Sequence, residues 1–450
     1  MLFMLFTKEV PSREKLNFII YIFSRLTLNL GSLIYTFAVS YSILYFTGSA
    51  LYFAINLAIT SVVMTLMLPL SGVMSDLGNK RKIIISGEVI LTLIMAGLLV
   101  FTYFNGFNIF AIYITSFLTA LVNPFVSNTF QTSMTEMFHK ERIQKVMGYV
   151  SAIMSSAIII GPAIGGVLFG LFDFYIMILI FTITYAISTL LDFFIKFDLY
   201  YDPENYVLVN SSQPETASVF GKFKHDVWQG IEYIKNSYVF LRVFIMAAFI
   251  NFFASLMGIY PEKAMITELK FSPETVGIIN AFDGFGVLIA GIVIGSVKQF
   301  KNPVGLMKIS LILWTFTIPL YLLPLYTSMA DTYSIAFFAA MGFTIAVMLQ
   351  VINVPLFTFV QLTVPQHIKG RVFSAIGLFA SSIAPIGTLL YGFAYDYLPF
   401  WLIHSISFTA LIIIIFTFLN SRVIDESKED VSKVAEELEL SKTVHENTGI

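Results

Sequence analysis

The chain has 450 residues, 57% of them hydrophobic and 12% charged, with no cysteine and a formal net charge of −2. A soluble domain is nearer half apolar and a quarter charged, so this composition is that of a membrane protein, and the near-neutral balance carries no nucleic-acid signal. Without cysteine, disulfides and thiolate metal sites are excluded.

A spanning helix needs about 20 mostly apolar residues. The start MLFMLFTKEVPSREK puts its apolar stretch before its charges and has no small-residue cleavage site, the reverse of a secretory signal, so the first span is expected to stay. That span, 17–46, carries Arg25 and Asn29. Span 2 covers 50–74 and leads into GVMSDLGNKRK, with Gly72, Asp76, Lys80, Arg81 and Lys82. Span 3 (83–104) holds Glu88, and span 4 (108–133) holds Asn123. Arg25 and Glu88 both fall in the inner half of the membrane and can pair if their helices approach, as a structural ion pair or as a coupling site.

Span 5 (146–171) contains SSAIIIGPAIGGVLFG, with a proline and four glycines in an otherwise apolar run. Small residues let helix backbones approach closely in lipid, and Pro162 removes one backbone hydrogen bond and permits a bend. A face lined by Gly148, Ala157, Gly161, Gly165 and Gly166 is therefore expected to sit tightly against a partner helix. Span 6 covers 174–195. Its Asp192 lies near enough to the inner end to reach the interface by snorkelling, as do Arg242 and Lys308.

Residues 196–238 form a long polar connection, in which Val219, Phe223, Val227, Ile231 and Ile234 recur at helical spacing. This suits an amphipathic helix on the inner membrane surface. Six more spans follow, at 239–261, 273–297, 305–326, 332–360, 371–395 and 399–420. Asn251 lies in the first of these and Asn280 and Asp283 in the second, with Gln350 and Asn353 in the fourth. Asp283 is about ten residues into its span, ~15 Å deep at 1.5 Å per residue. A carboxyl near the midplane is costly and marks a functional candidate. Gly284 and Gly286 beside it leave room for water or substrate, and Asp283 is the first choice as proton carrier. His404 lies about a turn inside the outer end of the last span, as an interfacial histidine. Residues 421–450 are dense in charge and suit a solvated tail.

Twelve spans in two sixes make this an all-α integral membrane protein, divided into 1–16, a first half 17–195, the connection 196–238, a second half 239–420, and a charged tail 421–450. If both ends are cytoplasmic, the inner loops hold Lys80, Arg81, Lys82, Lys140, Arg142, Lys145, Lys298, Lys301, Lys369 and Arg371, against Lys263 and Lys270 outside; this bias sets the orientation. Pro162 precedes Asp173 by the same eleven positions that separate Pro385 from Asp396, with Gly170 and Gly392 between them and Ser155-Ser156 and Ser381-Ser382 upstream. That order supports an internal duplication.

These motifs resemble those of the major facilitator transporters. Drug and metabolite antiporters of that group carry on helix 5 a pattern matched here by Gly148, Ala157, Gly161, Pro162, Gly165 and Gly166, with Ala157 in place of a glycine. The resemblance implies a segment that seals one side and marks exporters. The loop Gly72, Asp76, Lys80, Arg81, Lys82 resembles the family's conformational-gate motif, departing from it at Leu77 and Asn79. Arg25, Leu30-Gly31 and Gly48-Ser49, and KGRVFSAIGLFASSIAPIG at 369–387, resemble the macrolide-efflux and siderophore-exporter branch. The resemblance implies the major facilitator fold.

There is no phosphate-binding Gly-Lys-Ser/Thr loop, no HExxH and no Gly-x-Ser-x-Gly, so an ATP-driven pump, a zinc protease or an esterase lacks its machinery. Asn29, Asn123, Asn251, Asn280, Gln350 and Asn353 are candidates to line a mainly apolar cavity, with Asn56, Asn128 and Gln361 as further amides. The expectation is a monomeric proton antiporter of the cell membrane exporting an amphipathic drug-like or siderophore-like molecule. It needs no cofactor and no metal; its partners are that solute, protons and lipid, with no nucleic acid. Alternatives are a proton-coupled nutrient importer or a lipid or glycolipid flippase on the same fold.

Overall fold

The computed structural model describes residues 10–200, 219–297, 300–327 and 329–448; the side chains of Asp76, Leu77, 219–226, His367, Ala435 and 437–448 lie outside the described residues. Among the described residues, twelve helices are long and apolar enough to cross a bilayer. They are α1 (Ser12–Thr47), α2 (Ala50–Leu77), α3 (Lys80–Asn105), α4 (Ile109–Met137), α5 (Lys140–Leu171) and α6 (Phe174–Phe193). Then come α7 (Tyr238–Lys263), α8 (Pro273–Ser296), α9 (Pro303–Leu320), α10 (Asp331–Thr363), α11 (Gln366–Tyr397) and α12 (Phe400–Phe418). A π-helical turn, Ala264–Glu268, continues α7. Several helices begin or end about a turn beyond the expected spans on the side rich in Lys and Arg, and α7 with its π-helical turn runs on to Glu268 at the opposite side. Hydropathy stops at the edge of the apolar run, whereas the backbone ladder continues through Glu14, Lys80, Glu136 and Arg142, which are held there by side-chain bonds.

Local chemistry places the breaks. Ser49, Asn79, Asn108, Ser237 and Asn302 each accept a backbone N–H with the side chain at the start of a helix, satisfying one of the donors that a helix N-terminus leaves open. Asn79 stands where the gate motif usually has glycine, and here it caps α3 through Lys82 N at 3.0 Å. At Gly48, φ is +64°, the left-handed conformation that ends α1 and favours glycine.

The chain divides into two compact units, residues 1–222 with 265–281, and residues 223–264 with 282–450. In the first, α1 packs on α5 and α6, α2 on α4, and α3 on α4 and α6. In the second, α7 packs on α11 and α12, and α9 on α10 and α12. One boundary, 222/223, falls inside the long connection, and residues 265–281 are grouped with the first unit. The beginning of α8 belongs with the first unit because its backbone lies directly against that of α5. The outward faces stay apolar, as at Leu66, Leu93 and Ile413, each 60–65% exposed, which is what lipid contact requires.

The connecting helix (Val219–Asn236) is docked on α11: Val227 and Ile234 are buried, and a Cβ at Gly230 would collide with the Arg371 carbonyl. Arg371 donates to Gln229 Oε1. Of the expected apolar stripe, the side chains of Val219 and Phe223 fall outside the described residues, as does Lys298. Residues Ser421–Thr448 form a C-terminal helix against α7, α9 and α10, with Val423 and Ser427 fully buried and Val431 nearly so. Its first three turns are thus part of the second unit's core, not a solvated tail. Burial raises the pKa of Asp430 above the usual carboxylate range, and burial together with facing Asp430 raises that of Tyr233.

Candidate functional site

The first unit buries an ionic cluster within its helix bundle. Arg25 on α1 donates through Nη2 to Glu88 Oε1 on α3 at 2.7 Å and to Asp192 Oδ2 on α6. Both carboxylate side chains have no solvent exposure, and that of Arg25 is 11% exposed. The guanidinium lies 3.9 Å from the centroid of the Phe130 ring on α4, a cation–π contact strengthened by desolvation. Ser24 bonds Ser188 at 2.9 Å and also accepts from Arg25. Thr92 and Thr189 continue the polar face at 3.1 Å. The helices converge here because each carries its polar residues one turn apart: Tyr21 and Arg25, Glu88 and Thr92, Ser188 and Asp192.

Arg25 and Glu88 therefore meet, and Asp192 joins them. The expectation that Asp192 snorkels to the interface is corrected. Beyond α6 the chain turns back beneath Asp192: Ile195 and Phe197 are buried, Asn17 exchanges two hydrogen bonds with the Lys196 backbone, and Arg13 donates to Phe194 O. Tyr200 N reaches Glu136 O at 2.7 Å. This returning segment closes the basic side and takes Asp192 out of water. The available sequence signal was a polar stripe on α6 (Tyr185, Ser188, Asp192), which distance from the helix end obscured.

The gate-loop residues are spread among nearby helix ends. Lys80 binds Glu136 Oε1 at 2.6 Å and Thr132 O at 3.1 Å, and Arg81 donates to Phe193 O at 3.3 Å. Lys82 contributes its capped backbone, and a Cβ at Gly72 would meet nothing within 4 Å. The Asp76 side chain lies outside the described residues. A second latch was not foreseen: Glu14, 2% exposed, accepts from Arg142 Nε at 2.7 Å and Nη2 at 2.6 Å, and from the Tyr200 hydroxyl. Partial burial, together with the facing Glu14 carboxylate, raises the pKa of the Tyr200 phenol.

On α5 the small residues face two different partners. A Cβ at Gly161 would meet Leu33 Cβ at 2.6 Å, and one at Gly165 would meet Phe37 Cβ at 3.3 Å, both on α1. Gly166 faces the start of α8, where a Cβ would collide with the Pro273 carbonyl; reciprocally, a Cβ at Gly277 would collide with the Pro162 carbonyl. Ala157 is buried and Gly148 is open. Gly166→Ala is therefore expected to destabilise by about 1–3 kcal/mol through overpacking, whereas Gly148→Ala should raise stability by up to about 1 kcal/mol from helix propensity. Thermal melts of the two variants check this; equal shifts would remove the close packing as the role of Gly166.

In the second unit, Asp283 is exposed and lies against Gly342 on α10, where a Cβ would strike its carboxylate. Gly286, expected to leave space, is instead filled: a Cβ there would lie 2.6 Å from Phe343 O. The amides divide by role. Asn29 and Asn251 bond back to Arg25 O and Ala247 O on their own helices, and Asn123 is half-buried. Asn280, Gln350 and Asn353 are half-buried. Asn56 and Asn128 pair with Ser116 and Ser71 between α2 and α4. His404 is fully buried, not interfacial, with Nδ1 2.7 Å from Ile318 O and Nε2 3.0 Å from Tyr395 Oη. An apolar cavity of about 320 Å³ lies between α7 and α11, lined by Phe244, Phe249, Phe252, Phe253, Phe379 and Ile383 with Ile245 and Ala248.

Comparisons with known proteins agree with this architecture. The family model described as Major Facilitator Superfamily matches residues 18–388. The chain is 23% identical over 317 residues to the uncharacterized MFS-type transporter YfiS of Bacillus subtilis strain 168, covering 68% of this chain and 69% of that one. It is 20% identical over 352 residues to macrolide efflux protein A of Streptococcus pyogenes, covering 76% and 80%. Among solved structures, a bacterial homologue of the iron transporter ferroportin in an inward-facing state aligns with a TM-score of 0.68 at 14% identity, over 91% of this chain and 99% of that one. That last likeness is one of fold.

Proposed function

Because the chain belongs to the Major Facilitator Superfamily, a family of transporters and not of enzymes, we propose that it is a secondary active exporter, a proton antiporter of an amphipathic small molecule such as a macrolide-like drug or a siderophore. The protein is a multi-pass membrane protein; the proposal places it in the cell membrane as a monomer with both termini in the cytoplasm. The observation that carries the reading is the α5 segment, whose Gly161, Gly165 and Gly166 lie against the side chains of α1 and the backbone of α8. The antiporter-type motif is thus used as a close-packing surface able to part as a unit. Named macrolide efflux proteins among the relatives support export. Proton coupling is supported by ionisable groups kept within spanning helices, where each is costly: Arg25, Glu88 and Asp283. The cavity walled by phenylalanines suits an amphipathic solute better than a sugar or small ion.

Everted vesicles containing the overexpressed protein, energised to be acid inside and reported by a pH-sensitive dye, test this with a panel of macrolides, cationic dyes and siderophores. Dye recovery on adding one compound, absent from control vesicles, is the expected result. If no compound in the panel discharges the gradient while the protein accumulates a nutrient or redistributes lipid between leaflets, the export reading falls.

A further inference from the structure

One guanidinium in the first unit faces two carboxylates. With all three ionised the cluster carries −1, and one added proton makes it neutral. Two of its oxygens, Glu88 Oε2 and Asp192 Oδ1, are buried without a hydrogen-bond donor. Such oxygens are costly in a dry interior, and the Arg25 guanidinium already serves the other oxygen of each carboxylate. Glu88 Oε1 and Asp192 Oδ2 are brought side by side on the same Arg25 Nη2. The other titratable groups facing the cluster are Tyr21 on α1 and Tyr185 on α6, neither of which donates a hydrogen bond to the orphaned oxygens. From α4 the cluster is faced by the Phe130 ring.

We infer that Glu88 and Asp192 form one proton-binding site, sharing a single proton between their carboxyl groups while Arg25 holds both in place. Asp192 thereby becomes a coupling residue alongside Glu88, a role that rests on the exporter reading, whereas the proton site itself does not. Uptake forms one O–H bond on one carboxyl, which then donates to its neighbour; release breaks that bond and leaves a buried charge of −1. The charge-neutral state favours the closed, dry bundle around α1, α3 and α6. The charged state favours opening the segment 194–200 to water.

Infrared difference spectroscopy between acidic and alkaline buffer, on the full-length protein in liposomes without any solute, tests the site directly. The expected result is a protonated-carboxyl band that survives Asp283→Asn and disappears in Glu88→Gln and in Asp192→Asn, since either substitution leaves one carboxylate paired with Arg25 and no shared proton. Should either variant fail to fold, wild-type protein labelled with carbon-13 in the side-chain carboxyls of aspartate or of glutamate replaces it, and the band should move with one or both labels and keep its intensity in Asp283→Asn. A spectrum whose only protonated carboxyl is lost in Asp283→Asn overturns the inference, as does a band unchanged in both cluster variants. Because no solute is present, loss of this band with intact export removes the shared proton alone, and a retained band with no export removes the exporter reading alone.

Discussion

Replacing Arg25 by alanine is expected to lower folding stability by about 3–5 kcal/mol, the range found when one partner of a buried ion pair is removed. The reason is geometric. Glu88 and Asp192 are fully buried and both depend on the same Nη2, so Arg25→Ala strands two carboxylates and empties the space beside Phe130. The triple variant Arg25→Met, Glu88→Gln, Asp192→Asn should recover much of the loss, because neutral groups of similar volume need no counter-charge. Arg25→Lys should recover little, since an ammonium lacks the planar fork that spans two carboxylates while stacking on an aromatic ring. Melting curves followed by circular dichroism, which reports the helices of both units, provide the measurement; the three tryptophans, Trp228, Trp314 and Trp401, all lie in the second unit. An Arg25→Ala melt within about 0.5 kcal/mol of wild type, the scatter of ordinary surface substitutions, would sink the claim that the cluster holds α1, α3 and α6 together.

Asp283→Asn is expected to bring gradient-driven transport down to the rate of protein-free vesicles while leaving the fold and solute binding intact. Asparagine keeps the shape of the side chain against Gly342 and loses only the ability to exchange a proton. Gly342→Val provides the complementary perturbation: it displaces the carboxylate without removing it, so it should slow transport and also shift the melt. The measurement is dye recovery in the energised vesicles, run beside equilibrium solute binding. Wild-type discharge in Asp283→Asn would remove Asp283 from the mechanism, and loss of binding together with transport would reassign it to the solute site.

Arg25 and Glu88 were legible from residue type and depth, because charges inside apolar runs stand out. Asp192 was not, although it completes the same cluster. Its position one residue from the end of α6 looks interfacial until the chain beyond it is seen to fold back and bury it. His404 was misplaced for a related reason: depth along the membrane is readable from spacing, but burial around the helix axis depends on neighbours, here Ile318 and Tyr395. The glycines of α5 were legible as a close-packing face, yet their division between α1 and α8 required the helices to be in place. Gly286 likewise reads as empty space in a sequence and proves to be where α10 fits.

The sequence by itself determined the solvent, the count of spanning helices, the break points and the family. Those depend on local quantities: runs of apolar side chains long enough for a bilayer, capping residues at their ends, and the side on which lysine and arginine collect. Only the tertiary structure decided which charges meet, which glycines touch backbone, and that the connecting helix and the first turns of the C-terminal helix are built into the second unit. These depend on contacts between residues far apart in the chain, as between Arg25 and Asp192 or Gly166 and Gly277, and a pairwise contact is set by helix rotation and approach, which no one-dimensional pattern encodes.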